Sequence, residues 1–349
     1  MDHRTAGAQA EPELSTAGAQ EIMALAGVRT DHVFVAVVTT HNHVWRVDTD
    51  AAGYFVKTWT KDWYDWSDSL TTGALNVDHE VGAFELLARH GLAVPEVVLA
   101  DETANNPLGR PFMMTRQLGG SPFPDALAKL TDTAERDALV RTVGAYQARM
   151  HAIVLAAPGY FGRRGPFPSE DGGWEHSNQS ARACYRALER LWRADEQSGL
   201  DAELLDAARA YAQRVRPRVE AEFTPPRFTQ ANCHAGQFFV LRTPSGWVTT
   251  GVVDMEVALG GWPLCDVPGI VADLSHPRLG GYRWWWPWFE GYGEPDFDLF
   301  RLVLLTTGQS WWNVVAPHSW GTAPRERVLR HVLSSRSWDE LLDVSTFTA

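Results

Sequence analysis

The sequence predicts an α+β fold: a small antiparallel sheet with one helix near the N-terminus, then a larger, mainly helical region. Three observations carry this. Runs rich in β-type residues at 33–38, 44–48 and 53–59 follow one another with short connections and no helix between them, which suits antiparallel pairing better than a wound parallel sheet. One amphipathic helix follows at 79–90. From residue 132 the pattern turns to long helical segments, interrupted by a hairpin within 228–266. With 349 residues, 45% of them hydrophobic, the chain can bury a sizeable core as one two-lobed domain or two smaller ones.

Composition narrows the partners. A formal net charge of −12 and a pI near 5.4 argue against nucleic acid and anionic membranes. Cys184, Cys233 and Cys265 form no disulfide framework and no metal-ligand spacing, which fits a reducing cytoplasm. The N-terminus has no signal-peptide pattern, and no long uncharged apolar run suggests a membrane span. The sixteen tryptophans cluster at Trp59, Trp63 and Trp66, at 284–288, and at Trp311, Trp312 and Trp320. They suit either bulky packing or an aromatic pocket for a cationic or flat apolar ligand.

Taken in order, residues 1–18 are small and polar and read as a flexible tail. Strands 33–38 and 44–48 are joined by the turn 39–43, which lacks glycine. Strand 53–59 contains Lys57. The aromatic and acidic stretch 61–76 is longer than a tight loop needs and suits a lid or a wall. Helix 79–90 places Val81, Phe84, Leu87 and Ala88 on one face, with Glu80 near its start. Strands 96–100 and 111–116 follow. Helices are expected at 132–153, 178–194, 201–215, 267–274, 298–310 and 325–334, with His151 a structural histidine near the end of the first.

The hairpin concentrates the chemistry. Strands 237–241 and 248–253 flank the turn Thr243-Pro244-Ser245-Gly246. Asn232, His234 and Gln237 lie just before the first strand; Asp254 and Glu256 lie just after the second. A hairpin brings its open ends together, so Asn232, His234, Gln237 and Asp254 should converge.

These ends resemble the catalytic loop and metal-binding motif of the aminoglycoside phosphotransferase and choline kinase-like family, which has a protein-kinase-like fold. The family loop reads His-Gly-Asp-Leu-His-Pro-Gly-Asn; here it reads Gln230-Ala231-Asn232-Cys233-His234-Ala235-Gly236-Gln237. The second family motif reads Ile-Asp-Trp-Glu, then Gly-Asp-Pro, then Asp. Here it reads Val253-Asp254-Met255-Glu256, then Gly261-Trp262-Pro263, then Asp266. The likeness runs from about residue 33 to 310.

The resemblance implies ATP or GTP with Mg2+ as cofactors, and phosphoryl transfer to a hydroxyl or amine of a small molecule. It implies that Lys57 contacts nucleotide phosphates and pairs with Glu80. It implies a boundary near 118–121 that divides an N-terminal lobe, 19–118, from a C-terminal lobe, 119–349. It gives the metal to Asp254, Gln237 and Glu256 and places Asn232 and Asp254 among the catalytic positions; His234, which braces the loop in the family, is the remaining catalytic candidate. Asn232 stands where the family has its base aspartate, and an amide cannot act as a carboxylate base. Gln237 stands where the family has a metal-binding asparagine, one methylene longer. Two other readings compete: a repurposed enzyme with His234 as acid/base and a tryptophan-lined pocket, and a catalytically silent ligand-binding module. The expected partner is a small-molecule substrate, cationic or aromatic if the tryptophans line its pocket, with no nucleic acid and no membrane; the silent module would sense a ligand or a partner.

Overall fold

The computed structural model describes residues 13–39, 42–59, 77–166, 201–222, 225–275, 279, 285–307 and 322–343. The expected lid at 61–76, the helix at 178–194, and Trp63, Trp66, Trp284, Trp311, Trp312 and Trp320 lie outside them. The chain divides into two compact units, Met1–Val81 with Pro95–Gln117, and Gly82–Val94 with Leu118–Ala349. Among the described residues no helix is long and apolar enough to cross a membrane.

The first unit is built on a five-stranded sheet. Its strands are β1 (Val33–Thr39), β2 (Val44–Thr49), β3 (Gly53–Thr58), β4 (Val97–Asp101) and β5 (Phe112–Arg116), in the order β1-β2-β3-β5-β4. Every pairing is antiparallel. Alternation along the strands turns Trp45 and Val47, Tyr54 and Val56, and Phe112 and Met114 to one face. Helix α1 (Thr16–Leu25) covers that face with Ile22 and Met23. Here the expected tail is corrected at its C-terminal end. Ser15 caps α1 by accepting from the Gly18 N–H, and Leu14 is buried in the same core. Helix α2 (Val77–Arg89) opens with Asp78 and Glu80 and closes with Arg89, complementing its dipole at both ends.

In the second unit, β6 (Ser121–Pro122), α3 (Phe123–Lys129) and α4 (Thr133–His151) come first. Asp132 caps α4 through the Glu135 N–H. A small ribbon, β7 (Phe161–Gly162) with β8 (Gly165–Pro166), precedes α5 (Ala202–Glu222). Helix α5 runs past the predicted end and through Pro217. Its buried residues Leu204, Leu205, Ala208, Tyr211, Ala212, Val215 and Val219 repeat at helical spacing, and this face outweighs the cost of the proline.

Strand β9 (Arg227–Thr229) leads into the hairpin of β10 (Phe238–Thr243) and β11 (Gly246–Val252). Strand β6 pairs on the other side of β10, and β12 (Leu259–Gly261) pairs with β9. Helices α6 (Val267–Ser275), α7 (Trp285–Tyr292), α8 (Phe297–Thr307), α9 (Thr322–Ser334) and α10 (Trp338–Leu341) complete the unit. A Cβ on Gly291 would lie 2.1 Å from the Arg141 carbonyl oxygen, and one on Gly144 would lie 2.5 Å from that of Trp288, so α4 and α7 cross backbone to backbone.

The expectation of a tryptophan-lined pocket is corrected at the 284–288 run. Trp285 and Trp288 are wholly buried, and Trp288 stacks on Tyr292 at 4.3 Å between centroids. Trp286, 41% exposed, lies against Trp285 and Phe289. These rings form the core side of a short helix that carries a bulky residue at almost every position.

Candidate active site

In the first unit, Lys57 on β3 reaches Glu80 on α2. Its Nζ lies 2.9 Å from Oε2 and 3.2 Å from Oε1, with the two side chains only 10% and 2% exposed. Strand β3 is interior to the sheet, and the ammonium placed there meets a carboxylate. The Trp59 ring lies 5.6 Å from the same ammonium.

In the second unit the hairpin register continues past its strands. The Val253 N–H donates to the Gln237 carbonyl at 3.0 Å, which sets Gln237 beside Asp254. The Gln237 side chain is the junction. Its Oε1 accepts from the His234 N–H at 3.0 Å and from Gln230 Nε2 at 3.0 Å. Two donors on one oxygen fix the amide's orientation, so Nε2 faces Asp254 and donates to Oδ2 at 3.2 Å. Gln230 Nε2 also donates to the Val253 carbonyl at 3.0 Å.

Below this junction Asp266, 2% exposed, holds the loop's backbone. It accepts from the Gln230 N–H at 2.6 Å and the Ala231 N–H at 2.8 Å, and lies 3.2 Å from His151 Nε2. The carboxylate is an acceptor, so Nε2 of His151 carries the proton. Nδ1 then accepts from the Tyr292 hydroxyl at 2.8 Å. His151 is the structural histidine expected of it. Helix α6 adds a second clamp, with Asp273 Oδ2 accepting from the Ala235 N–H at 2.8 Å. Gly269 lets α6 sit against the Cys233 carbonyl, where an added Cβ would come within 2.1 Å.

Two non-glycine residues adopt left-handed backbone: Ala231 at φ 69° and Asp254 at φ 66°. Each costs on the order of 1–2 kcal/mol. Asp266 holds Ala231 in place through the two adjacent N–H groups. Cys233 is buried, with Gln147 Nε2 3.4 Å from its sulfur. Burial pushes its thiol pKa well up, and the charges of Asp266 and Asp273 push the same way, so it is a packing residue and no nucleophile.

The predicted residues thus divide. Gln237, the His234 backbone and Asp254 meet. Asn232 and His234 have exposed side chains, and the Asn232 amide makes no hydrogen bond to the described residues. His234 Nδ1 accepts from the Gly236 N–H at 3.2 Å, which leaves Nε2 as the protonated nitrogen of the neutral ring. Glu256 is buried.

For magnesium, Gln237 does not fit the place the resemblance gives it: its oxygen already serves two donors, and its nitrogen faces the carboxylate. Asp254 does fit, because magnesium needs only one or two carboxylates beside nucleotide oxygens and water. Among the described residues no group of three or more His, Cys, Asp or Glu could hold a metal by itself.

Sequence reasoning gave no role to Gln230 or Asp266, which hold the loop together. The available signal for Gln230 was its departure from the motif histidine, seven residues before the departure at Gln237.

The sequence profile of the phosphotransferase enzyme family matches residues 38–303. The chain belongs to that family. No curated protein matches it by sequence. Among solved structures, a putative aminoglycoside phosphotransferase from Ralstonia eutropha JMP134 superposes at TM-score 0.56 and 13% identity, covering 95% of this chain and 98% of its own. A thermostable mutant of aminoglycoside phosphotransferase APH(4)-Ia, in ternary complex with ADP and hygromycin B, gives 0.55 at 15% identity over 93% and 100%. The GDP and kanamycin complex of APH(2")-IIIa gives 0.53 at 16% over 95% and 97%. The phosphotransferase family's kinase-like fold is therefore that of this chain, with the five-stranded antiparallel sheet first and the helical region after it.

Proposed function

We propose that the protein is an ATP- or GTP-dependent phosphotransferase acting on a hydroxyl or amine of a small molecule, and that it works without a carboxylate base. The observation carrying this is the buried Lys57–Glu80 pair at 2.9 Å. A buried ion pair is a poor means of stabilising a fold, since apolar residues of similar size serve as well or better. Its presence on an interior strand is accounted for by a ligand that needs the ammonium: nucleotide phosphates.

In this reading Glu80 aims Lys57 at those phosphates, and Asp254, oriented by Gln237, holds magnesium. The metal, when bound, neutralises phosphate charge. The acceptor oxygen or nitrogen bonds to the terminal phosphorus as the bond to the leaving diphosphate breaks, and the acceptor proton passes to solvent. The loose transition state relies on positioning and electrostatics, so an amide at 232 can orient the acceptor where an aspartate would also take its proton. The missing base makes turnover slow by roughly 10²–10⁴-fold. His234 presents an N–H donor to solvent and suits a hydrogen bond to the acceptor better than proton abstraction. The net charge of −12 favours a cationic acceptor and disfavours nucleic acid and anionic membranes, and the free thiols of Cys233 and Cys265 fit the cytoplasm.

Calorimetry with ATP and GTP, with and without magnesium, tests the reading. Saturable binding that is lost in Lys57→Met is expected. Asn232→Asp should then raise turnover at least roughly tenfold by supplying the base. Absence of binding by either nucleotide would overturn the reading and leave the repurposed enzyme and the silent ligand-binding module. Binding without any gain from Asn232→Asp would remove position 232 from the chemistry.

A further inference from the structure

Within the second unit, α5, the start of α8 and the end of α9 enclose an open cavity of about 750 Å3. None of its lining residues belongs to the loop 230–237 or to 254–266. Its walls are Ala207, Ala210, Phe297 and Leu333, and its charged groups are Arg214, Arg301, Arg336 and Asp298.

Some of these groups are already committed. Arg301 donates from Nε to the Val332 carbonyl at 2.7 Å and from a terminal nitrogen to the Leu333 carbonyl at 2.6 Å. Asp298 accepts from the Tyr211 hydroxyl at 3.1 Å and from Arg218 at 3.0 Å, and lies 3.7 Å from Arg301. The Ser334 and Ser335 hydroxyls both donate to the His331 carbonyl.

Two guanidinium groups remain. That of Arg214 lies over the Tyr211 ring at 4.8 Å, with Arg301 over the same ring at 4.7 Å. Neither Arg214 nor Arg336 has a carboxylate partner among the described residues. Glu340 accepts from the backbone N–H of Arg336. A guanidinium stacked on a ring keeps its N–H edge free for an oxyanion, and the stack holds it ready.

Three arginines against one aspartate give this cavity a positive excess in a chain of net charge −12. Its volume lies in the range of small-molecule sites, and its walls are apolar and aromatic. We propose that the cavity binds a small aromatic anion, its carboxylate or phosphate held by Arg214 and Arg336 and its ring against Phe297, Ala207 and Ala210. This is a second site, separate from the catalytic residues.

The probes are benzoate and phenyl phosphate, with benzamide as the neutral isostere and inorganic phosphate as the ringless anion. Each is titrated calorimetrically into the wild-type protein in the presence of saturating nucleotide. Saturable binding of benzoate or phenyl phosphate is expected, with benzamide and inorganic phosphate weaker by roughly tenfold or more. Arg214→Ala with Arg336→Ala should weaken binding by a similar factor, and both residues are exposed, so the fold should tolerate it. Ala210→Trp should block the site by bulk while leaving both arginines. If only phenyl phosphate binds, the anion is a phosphate monoester; if only benzoate, a carboxylate. No binding, equal binding of benzamide, or binding unchanged in both variants would overturn the assignment.

Discussion

Gln230 and Gln237, which the motif resemblance sets in the places of a histidine and an asparagine, meet through their amides at 3.0 Å. The two departures are one structural feature. Gln237→Asn alone shortens the side chain and leaves the His234 N–H and Gln230 Nε2 without their shared acceptor, at about 1–3 kcal/mol for a buried group left unsatisfied. Gln230→His alone removes one of the two donors that orient the Gln237 amide. The pair should therefore couple by about 0.5–3 kcal/mol in a double-mutant cycle. Urea denaturation of the four proteins measures this. Additivity within about 0.3 kcal/mol would mean that the two substitutions are independent.

At the scale of elements, the crossing of α4 and α7 sets the depth of the loop 230–237. Gly291 lets the helices touch, Tyr292 then reaches His151, His151 reaches Asp266, and Asp266 holds the Gln230 and Ala231 amides. The exposed Arg141–Glu290 pair at the same crossing adds little. Gly291→Ala places a methyl group against the Arg141 carbonyl. It should cost about 1–3 kcal/mol and lower Tm by several degrees, because the opposing atom is backbone and must move with its helix. Arg141→Ala serves as the control and should leave Tm nearly unchanged. Thermal melts of both variants decide whether the crossing is as tight as its geometry.

For the whole molecule, buried protonated groups set the alkaline limit of stability. Burial raises the pKa of Cys233 well above its ordinary 9.0, and burial likewise raises Tyr146 above its ordinary 10.0. In the unfolded chain both ionise at their ordinary values while the folded chain keeps the protons. The unfolded state thus binds fewer protons above about pH 9, and stability falls as pH rises, by about 1.4 kcal/mol per pH unit for each such group. Denaturation at pH 8 and pH 10 should show the loss, and Cys233→Ala should flatten the slope.

Much of this architecture was legible in the sequence because the signals were local. The three β-type runs, the helix with Glu80 and the hairpin each carry their periodicity within a dozen residues, whereas the pairing of Lys57 with Glu80 came from the family resemblance and from no local pattern. What escaped depends on packing. Helix α7 carries bulky aromatic residues on its buried and exposed sides alike, so its apolar pattern has no period, the apolar stripe of α5 overrides Pro217, and the junction at Gln237 joins residues seven and seventeen positions away.

The left-handed backbone at Ala231 and Asp254 limits which mutations the loop can accept. A β-branched residue at either position would clash with its own carbonyl before any question of chemistry arose. At 254 the residues at ease in this conformation are glycine, asparagine and aspartate, of which only aspartate offers a charge. At 231 glycine is at ease where alanine is strained. In a saturation library sorted for folded protein alone, position 231 should therefore enrich glycine over the native residue, while position 254 should admit asparagine and glycine as freely as aspartate. A second sorting of the same library for nucleotide binding should separate the two positions: 254 should narrow to aspartate, and 231 should keep its preference for glycine.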